Sequence, residues 1–534
     1  MKLKDGKMRW IIKSLLCIFV LFTMLGASSY KAYAMDDDVL SQAKGIIEKY
    51  YVDEIPESKI DSAKNMDELL KLLNDPYSQF FSSKGFQDFT DSINNRVCGI
   101  GVQIEMVPEG VNVMAVFKDS PAMDAGIKVG DIIVESDGHS LAGLTTAQSA
   151  SYIKGDEGTL ASIKVKRGND SYTYNILRKE IVAPTVEGKM LQSGAAYISI
   201  GTFGESTRNE FKDVLDKLKD EKPTGYIVDI RNNPGGYLMT AREIGEFFIG
   251  AEPIVTLKDR EGSYKLKPVI SDAKMFNRPV ILLVNGNSAS ASEILAAAVK
   301  DYKKAFIVGS KSFGKGTVQS PFILKDGSIL KLTVQRFYSP FGNPINKVGV
   351  QPDLDSGDED PLLISELLLG NKKGGIEINV SGRKFAMDAE KAAMPENWMA
   401  AKRIIEQAIS SGTLSVNSAD GRINAVSSNA EDLWRIFFPG YDKAASLKDV
   451  PCDRKFSIKT DKHVDTQSIG SNDIFLVNVA SGSRVPLDFK NAADGEIEIK
   501  PSQNLEAGAT YYLVVSDSFE GASKPTVTIV DVKK

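Results

Sequence analysis

The spacing of apolar residues changes several times along the chain, and each change predicts a different kind of structure. Residues 35–95 show helical spacing, as in "VLSQAKGIIEKYY" and "NMDELLKLLNDPYSQFFS". Residues 96–180 show short apolar runs separated by turn residues, as in "GIGVQIEM" and "ASIKVKRGN". The first pattern predicts amphipathic helices, and the second predicts a compact β-rich module.

Strands alternate with amphipathic helices over residues 181–365. "AAYISI" and "GYIVDI" are typical of buried strands, and the helix-like "TRNEFKDVLDKLK" lies between them. Thr207 and Glu210 fit a capping box at the start of this helix. Further on, Asp326 and Gly327 predict the turn of a β-hairpin. The alternation predicts an α/β core with helices packed on a largely parallel sheet.

The pattern changes again in the last third of the chain. Residues 366–445 predict a linker or small accessory region, with "GNKKGG" as a linker and the Ser/Asn-rich "SSGTLSVNSADGRINAVSSN" as a loose segment. Residues 446–534 alternate like the strands of a β-sandwich, as in "DIFLVNV" and "TYYLVVS".

Residues 1–34 resemble an export signal. A lysine- and arginine-containing start is followed by the apolar "SLLCIFVLFTMLGA" and by "AYA", which ends at Ala34. An uncleaved membrane anchor is the alternative, because residues 11–27 are nearly long enough to span a bilayer. Either way we expect an exported protein, extracellular or in the cell envelope on the outer face of the cytoplasmic membrane.

The composition narrows the possible chemistry. The 534 residues carry a net charge of -5 with acids and bases well mixed, which argues against a nucleic-acid partner. The two histidines, His139 and His463, lie in segments of different character, so neither a Ser-His-Asp triad nor a histidine-rich zinc site is expected. Beyond the signal only Cys98 and Cys452 remain, for which we expect free thiols. No metal or cofactor is implied.

The stretch "NGNSASASEILAAAV" places three serines, Ser288, Ser290 and Ser292, just before a predicted helix. Ser290 and Glu293 fit a capping box, so a purely structural role is one interpretation. The other is a nucleophile, because the N-terminus of a helix favours developing negative charge.

The glycine-flanked Lys315 in "SKSFGKGTVQ" is a candidate base. A lysine activates a serine only when neutral, and equal populations at pH 7 need its pKa of ~10.4 to fall by about 3.4, which desolvation can supply. A phosphate-binding loop is the rival interpretation, since Gly309 to Lys315 spells G-x-x-x-x-G-K. Gly316 occupies the position that such a loop needs as Ser or Thr, and a strand-like segment follows, so nucleotide binding is disfavoured.

A third segment, "DIRNNPGGYL", directly follows a predicted buried strand. Gly235 and Gly236 fit an ordinary strand-ending turn. They also fit an oxyanion hole, in which a backbone N–H donates to a tetrahedral intermediate.

Together these three segments, in this order, resemble the C-terminal processing peptidases, also called tail-specific proteases. The similarity spans about residues 40–360 and includes "LLNDPYSQFF" and "YSPFGNPINKVGVQPD". "GIGVQIE" and "SPAMDAGIKVGDIIVESDG" resemble the PDZ module that this family places before its catalytic core. The resemblance implies a multidomain α/β protein: a helical N-terminal segment, a PDZ-like module, a Clp/crotonase-like protease core and a C-terminal Ig-like β-sandwich.

The resemblance also assigns roles to individual residues. It implies Ser290 as nucleophile, Lys315 as general base and Gln319 as the residue that orients the lysine, with Ser288 and Ser292 structural. Backbone N–H groups of the oxyanion hole would come from small residues of these motifs, namely Gly235 or Gly236 together with Ala291.

The PDZ-like module implies how a substrate is held. The loop Gly99, Ile100, Gly101 and Val102 would present backbone N–H groups to a terminal carboxylate, and the adjacent strand would pair with the peptide. Protein or peptide substrates with apolar C-termini are the implied partners, and a homo-oligomer stays open. The alternative is a PDZ-bearing scaffold that binds exported protein tails without cutting them.

Overall fold

The computed structural model describes residues 37–267, 276–370, 375–410, 416–418, 421–423, 430–461, 464–493 and 495–534. The predicted signal, residues 1–34, lies outside these residues, as do His463 and parts of the predicted linker and Ser/Asn-rich segment. Within the described ranges, no helix combines the length and the apolar character needed to cross a membrane.

The N-terminal segment is helical, as its spacing predicted. It contains α1 (Asp37–Tyr50), α2 (Glu57–Ser62), α3 (Met66–Leu73), the short strand β1 (Gln79–Phe81) and α4 (Ser83–Ile93). Asn65 caps α3 by accepting the Glu68 N–H at 2.9 Å. The buried faces of α1 to α3 form one apolar cluster with a hairpin of the α/β core, described below.

The β-rich module is built around one antiparallel sheet. Its elements are β2 (Arg96–Gly99), β3 (Val102–Val107), β4 (Gly110–Val116), α5 (Pro121–Ala125), β5 (Ile132–Ser136), β6 (His139–Ser140), α6 (Thr146–Ile153), β7 (Leu160–Arg167), β8 (Asp170–Leu177) and β9 (Lys179–Val182). The strand order is β3-β4-β5-β7-β8, with β6 on β5, while β2 and β9 pair where the chain enters and leaves the module. Strand β3 therefore lies at an open edge of the sheet.

A six-stranded sheet forms the centre of the predicted α/β core. The elements in chain order are β10 (Val186–Met190), β11 (Ala196–Ile200), α7 (Thr207–Asp220), β12 (Tyr226–Asp229), α8 (Leu238–Ile249), β13 (Val255–Lys258), β14 (Ser263–Leu266), β15 (Val280–Val284), α9 (Ala291–Asp301), β16 (Phe306–Gly309), β17 (Thr317–Ile323), β18 (Ile329–Tyr338) and β19 (Leu354–Asp355). The order is β10-β11-β12-β15-β16-β19, and every pair beyond β10–β11 is parallel. The predicted largely parallel sheet is confirmed.

Both faces of this sheet are covered, which explains why its strands are apolar throughout. Tyr226 and Val228 belong to the core on the side of α7, α8 and α9. Ile227 and Leu283 point the other way, into a second core shared with the C-terminal third of the chain.

The predicted hairpin is present as β17 and β18, with its turn at Asp326 and Gly327. Strand β18 also pairs with β1 and β13, so the N-terminal segment adds a strand to a second, five-stranded sheet that contains β1, β13, β14, β17 and β18. The pairing of β17 with β18 shifts between Val318 and Gln319.

The helix α7 is present where predicted, but the capping box expected from Thr207 and Glu210 is wrong. Ser206 is the N-cap residue, and it makes no side-chain cap. The Glu210 carboxylate instead accepts the N–H groups of Thr185 (2.6 Å) and Val186 (3.0 Å). Tertiary donors from the preceding strand thus replace the local partner.

Residues 366–445, predicted as a linker or small accessory region, are packed over much of their length. It contains α10 (Pro361–Leu368), β20 (Gly375–Val380), β21 (Arg383–Asp388), α11 (Ala389–Ala392), α12 (Trp398–Ser410), β22 (Val416–Ser418), β23 (Gly421–Ile423) and α13 (Ala430–Phe437). Trp398 is fully buried and stacks on Phe437 with ring centroids 3.8 Å apart. Its indole N–H donates to the Val479 carbonyl at 3.1 Å, which joins this region to the last module.

The last module is the expected β-sandwich. Its strands are β24 (Asp442–Val450), β25 (Phe456–Lys459), β26 (Ile474–Asn478), β27 (Arg484–Val485), β28 (Leu487–Ala493), β29 (Glu496–Pro501), β30 (Thr510–Val515) and β31 (Thr526–Val532). They form the sheets β24-β31-β30-β26-β27 and β25-β29-β28. A boundary at residue 446 would cut β24, which pairs with β31 along the whole edge of the first sheet. The predicted multidomain α/β architecture is confirmed.

Candidate active site

Two of the predicted motifs meet because their strands are neighbours. β12 and β15 pair in parallel, with Asp229 opposite Leu283. The segments that follow them, "RNNPGG" and "NGNSAS", therefore leave the same edge of the sheet. In open α/β sheets this carboxyl edge is where ligands bind.

Ser290 lies at the start of α9 in a strained backbone conformation. Its φ is 57° and its ψ is −114°, in a region that residues with a side chain seldom adopt. Such a conformation costs on the order of 1–3 kcal/mol and is found most often at functional sites. It places a half-buried serine at a helix N-terminus, as the nucleophile interpretation requires.

The flanking serines have structural hydrogen bonds. Both Ser288 and Ser292 are buried. The Ser288 hydroxyl donates to the Ile230 carbonyl at 2.8 Å, and the Ser292 hydroxyl donates to the Asn233 carbonyl at 2.9 Å. Both therefore attach the serine turn to the segment that follows β12.

The two glycines approach the serine closely. Gly235 has a φ of 107°, and a Cβ on it would lie 2.8 Å from both the Ala289 carbonyl oxygen and the Ser290 Cβ. The Gly235 N–H donates to Asn233 Oδ1 at 2.9 Å, so it is already engaged. Among the described residues, the N–H groups of Gly236 and Ala291 have no internal acceptor.

An asparagine cluster holds the two turns together. Asn232 Oδ1 accepts from the side-chain amides of Asn285 and Asn287, each at 2.9 Å. The Asn232 N–H in turn donates to Asn285 Oδ1 at 2.9 Å. Sequence reasoning missed these residues, because each one alone is an ordinary turn residue.

A buried ion pair supports the end of β12. Arg231 donates to the Asp229 carboxylate at 2.6 Å, and the Tyr197 hydroxyl donates to the same carboxylate at 2.8 Å. Burial, together with the Asp229 charge, raises the pKa of the Tyr197 phenol well above its usual value. This ion pair holds the start of "RNNPGG" in place. In the sequence it is visible only as an aspartate and an arginine two positions apart in "DIRNN".

Glu293 connects the serine turn to the lysine loop. Its Oε2 accepts the N–H groups of Ser290 (2.9 Å) and Lys315 (2.8 Å). Its Oε1 accepts the Gly314 N–H and the Ser312 hydroxyl, both at 2.6 Å. Burial raises the pKa of this carboxyl group, while the four hydrogen bonds act in the opposite direction. The capping interaction expected of Glu293 is present, and the same carboxylate also holds the lysine loop.

Lys315 is partly buried and contacts the N-terminal segment. Its Nζ is 4.8 Å from the centroid of the Tyr77 ring, which the N-terminal motif "NDPYSQFF" supplies. Burial lowers the pKa of Lys315, and the charges of Asp75 and Glu293 offset part of this effect. Among the described contacts there is no hydrogen bond between Ser290 Oγ and Lys315 Nζ.

Gln319 lies on β17, four residues beyond Lys315 in the chain. Its side-chain amide donates to the hydroxyls of Thr317 (3.0 Å) and Thr333 (3.2 Å). Among the described residues, no hydrogen bond joins the Gln319 side chain to Lys315.

The predicted carboxylate-binding loop lies between β2 and β3. The Ile100 carbonyl accepts the Ala122 N–H at 2.8 Å, and Gly101 has a φ of 87° that brings it against Ser120. In the described chain the N–H groups of Ile100 and Gly101 have no internal acceptor. They open beside the free edge of β3, next to helix α6.

The described residues contain no cluster of three or more His, Cys, Asp or Glu side chains that could hold a metal ion. Cys98 and Cys452 are both free thiols.

Comparisons with known proteins agree with this geometry. The sequence model of "Peptidase family S41" matches residues 194–356, that of the PDZ domain matches residues 98–177 and that of the bacterial Ig-like domain matches residues 442–529. These matches define a peptidase with a PDZ domain and an Ig-like domain.

Two curated relatives come from Bacillus subtilis. Carboxy-terminal processing protease CtpB is 34% identical over 335 residues, which cover 61% of this chain and 69% of that protein. Carboxy-terminal processing protease CtpA is 31% identical over 349 residues, covering 64% and 74% respectively. Among solved structures, the photosystem II D1 C-terminal processing protease is 22% identical with a TM-score of 0.41, covering 63% of this chain and 98% of that chain. The chain belongs to the carboxy-terminal processing proteases of peptidase family S41, a class of serine proteases.

Proposed function

We propose that the chain is an exported endopeptidase in which Ser290 and Lys315 form a catalytic dyad. The observation that carries this proposal is the shared carboxylate of Glu293. One of its oxygens accepts the backbone N–H of both residues, so the serine turn and the lysine loop are held side by side.

The proton transfer in this dyad needs a neutral lysine. Burial lowers the pKa of Lys315, which increases the neutral fraction at physiological pH. Neutral Lys315 takes the proton of Ser290 as the hydroxyl oxygen attacks the scissile carbonyl. The resulting ammonium then donates its proton to the leaving amine, and water hydrolyses the acyl-enzyme.

The step needs a hydrogen bond between Ser290 Oγ and Lys315 Nζ, and in the free protein this Nζ lies 4.8 Å from the centroid of the Tyr77 ring. Hydrogen bonds between catalytic groups are often long in the free enzyme and tighten when substrate binds. Gln319 is suited to receive the lysine, because both N–H bonds of its amide group are directed at threonine hydroxyls. Its Oε1 then accepts from Lys315 Nζ and directs the lysine toward Ser290.

The oxyanion would be held by the N–H groups of Gly236 and Ala291. Both lie beside Ser290 and lack an internal acceptor in the described chain, whereas the Gly235 N–H is engaged by Asn233. Loss of one such donor lowers the rate by roughly 10² to 10³.

Degradation of β-casein tests the dyad. We expect cleavage by the wild-type protein and none by Ser290→Ala or Lys315→Ala. Ser310→Ala and Lys311→Ala are matched controls, because both residues are exposed and lie just before the lysine loop. Equal cleavage by Ser290→Ala would overturn the dyad, whereas no cleavage by any variant, with the peptide binding described next intact, would favour the non-catalytic scaffold.

We propose that the PDZ domain binds apolar C-terminal tails. The free N–H groups of Ile100 and Gly101 would hold the terminal carboxylate, and the open edge of β3 would pair with the peptide. Fluorescence anisotropy with a peptide ending in apolar residues should show binding that C-terminal amidation abolishes. Equal binding of the amidated peptide would contradict carboxylate recognition.

The export proposal depends on the basic and apolar character of residues 1–34. Fractionation of cells that produce the full chain, followed by N-terminal sequencing, should recover a protein beginning at Met35 outside the cytoplasm. A cytoplasmic full-length chain would refute it, and an exported chain that keeps residues 1–34 would indicate the anchor.

A further inference from the structure

The peptide group between Gly235 and Gly236 carries one of the two proposed oxyanion donors. Its N–H belongs to Gly236, and its carbonyl belongs to Gly235. The described residues contain no cis peptide bond, so the N–H and the C=O of this group point in opposite directions. Whatever holds the Gly235 carbonyl therefore also sets the direction of the Gly236 N–H.

Two donors from the segment that follows β11 hold this carbonyl. The Phe203 N–H donates to the Gly235 oxygen at 2.8 Å, and the Thr202 hydroxyl donates to the same oxygen at 3.1 Å. The Phe203 carbonyl in turn accepts the Tyr237 N–H at 2.8 Å, which completes a parallel bridge between Phe203 and Gly236. The Gly236 N–H is therefore turned away from this segment, in agreement with its lack of an internal acceptor in the described chain.

The serine turn packs against the same two glycines. A Cβ on Gly235 would lie 2.8 Å from the Ser290 Cβ and 2.9 Å from the Ala291 nitrogen, which is the other proposed donor. A Cβ on Gly236 would instead collide with the Phe203 carbonyl oxygen. The two glycines thus lie between the serine turn and the segment that contains Thr202 and Phe203.

A peptide group between two glycines is easily turned over, because neither residue has a Cβ that restricts the backbone. Gly235 and Gly236 both have positive φ values, 107° and 141°. Turning the group over would direct the Gly235 carbonyl at the oxyanion and replace a donor by an acceptor. The two hydrogen bonds to the Gly235 oxygen oppose this change.

We propose that Thr202 is a positioning residue for the reaction: its hydroxyl holds the Gly235 carbonyl and so keeps the Gly236 N–H directed at the oxyanion. This inference rests on the proposed dyad and oxyanion hole. Phe203 donates through its backbone, so only Thr202 contributes through its side chain. The Thr202 hydroxyl also donates to the carbonyl of Ile93, the last residue of α4, at 3.1 Å, and the two carbonyls share its single proton.

The test removes the hydroxyl and then restores it. Thr202→Val keeps the shape of the side chain without the hydroxyl, Thr202→Ala is a smaller hydroxyl-free variant, and Thr202→Ser keeps the hydroxyl. The readouts are kcat and KM for β-casein cleavage and the rate at which a fluorophosphonate labels Ser290, because the phosphoryl oxygen of this reagent occupies the oxyanion hole.

Two control variants separate this role from general packing. Thr240→Val removes a buried hydroxyl that donates at 3.0 Å to the Gly204 carbonyl of the same segment, and it leaves the bonds to Gly235 in place. Asn94→Ala removes a neighbouring attachment to α4, in which the Asn94 side chain accepts the Glu205 N–H at 3.0 Å. Thermal unfolding checks that each variant is folded.

For Thr202→Val and Thr202→Ala we expect kcat to fall about 10-fold, with KM within about twofold of wild type. Complete loss of one oxyanion donor lowers the rate by roughly 10² to 10³, and here the Phe203 N–H still holds the carbonyl. Labelling of Ser290 should slow by the same factor. Thr202→Ser, Thr240→Val and Asn94→Ala should keep the wild-type kcat.

A kcat within about threefold of wild type for the folded hydroxyl-free variants, or a serine variant as slow as they are, would overturn the inference. An equal loss in Thr240→Val or Asn94→Ala would also overturn it, because the effect would then come from packing of the segment or from its junction with α4. Cleavage of casein by Ser290→Ala would instead overturn the dyad itself, so the two failures are distinguishable.

Discussion

Replacing Glu293 by glutamine isolates the connection between the serine turn and the lysine loop. The substitution keeps the shape of the side chain but turns one acceptor oxygen into an N–H₂ donor. In either orientation of the amide, one backbone N–H of the lysine loop loses its acceptor. If the new nitrogen replaces Oε2, that group is the Lys315 N–H, and the Ser290 N–H loses its acceptor as well. If the nitrogen replaces Oε1, that group is the Gly314 N–H.

The size of the effect follows from burial. Glu293 is fully buried, so the unpaired N–H has no access to water. Leaving a buried donor unsatisfied costs about 1–3 kcal/mol. If the lysine loop moves to relieve this cost, kcat/KM should fall by about 10- to 100-fold, at 1.36 kcal/mol per factor of ten.

The loss of charge adds a second signature. The negative charge of Glu293 raises the pKa of Lys315, so Glu293→Gln should move the acid limb of kcat/KM to lower pH. Glu293→Gln should therefore combine a lower maximal kcat/KM with an acid limb at lower pH.

Casein cleavage across the pH range and fluorophosphonate labelling of Ser290 are the assays, with thermal unfolding as the check on folding. Glu210→Gln is the matched control, because this carboxylate on α7 also accepts two backbone N–H groups but lies away from the serine turn. It should leave kcat/KM near the wild-type value. A folded Glu293→Gln protein with kcat/KM within about threefold of wild type would refute the reasoning, since threefold corresponds to only about 0.7 kcal/mol.

Three further substitutions test other parts of the site and fold. Gly235→Ala should lower the rate of Ser290 labelling by more than about 10²-fold, because the new Cβ would lie 2.8 Å from the Ser290 Cβ; labelling at the wild-type rate would contradict that close approach. Tyr77→Ala should admit water to Lys315 and raise its pKa, which pH–rate profiles would report as an acid limb at higher pH; an unmoved limb would mean that other groups desolvate the lysine. Trp398→Ala should lower the free energy of unfolding by about 3–5 kcal/mol in denaturant titrations, because it removes the ring stacked on Phe437; a loss below about 1 kcal/mol would show that this core is not shared.

The fold was largely predictable, because its signals are local. Apolar runs predict the strands around Tyr226 and Leu282, and the Asp326–Gly327 dipeptide predicts the turn of the hairpin. What could not be predicted is which apolar surfaces face one another. Trp398 packs against Phe437 and donates to Val479, and these partners are distant from it in sequence. The sequence therefore predicted no more than a linker or small accessory region for residues 366–445.

The candidate active site, like the fold, was predictable only in part. Ser290, Lys315 and Gln319 were named from ordered motifs, and the role of Glu293 as a cap followed from its spacing. Its second role was invisible, because the lysine loop that it holds begins 19 residues away at Ser312. The contact of Tyr77 with Lys315 was harder still to predict, because Tyr77 lies two residues before β1, whose pairing with β18 joins segments distant in sequence.

The three serines of "NGNSASAS" show why chemistry alone could not select the nucleophile. Each is a hydroxyl near a helix start, and each could cap that helix. The segment after β12 distinguishes them, because its carbonyls at Ile230 and Asn233 engage Ser288 and Ser292. Ser290 lies between these two anchors at a positive φ, and among the described contacts its hydroxyl makes no hydrogen bond to that segment. The parallel pairing of β12 with β15 therefore decides which serine can react. A substitution that removes the hydrogen bond of Ser288 or of Ser292 should reduce the reactivity of Ser290, although Ser290 itself is unchanged.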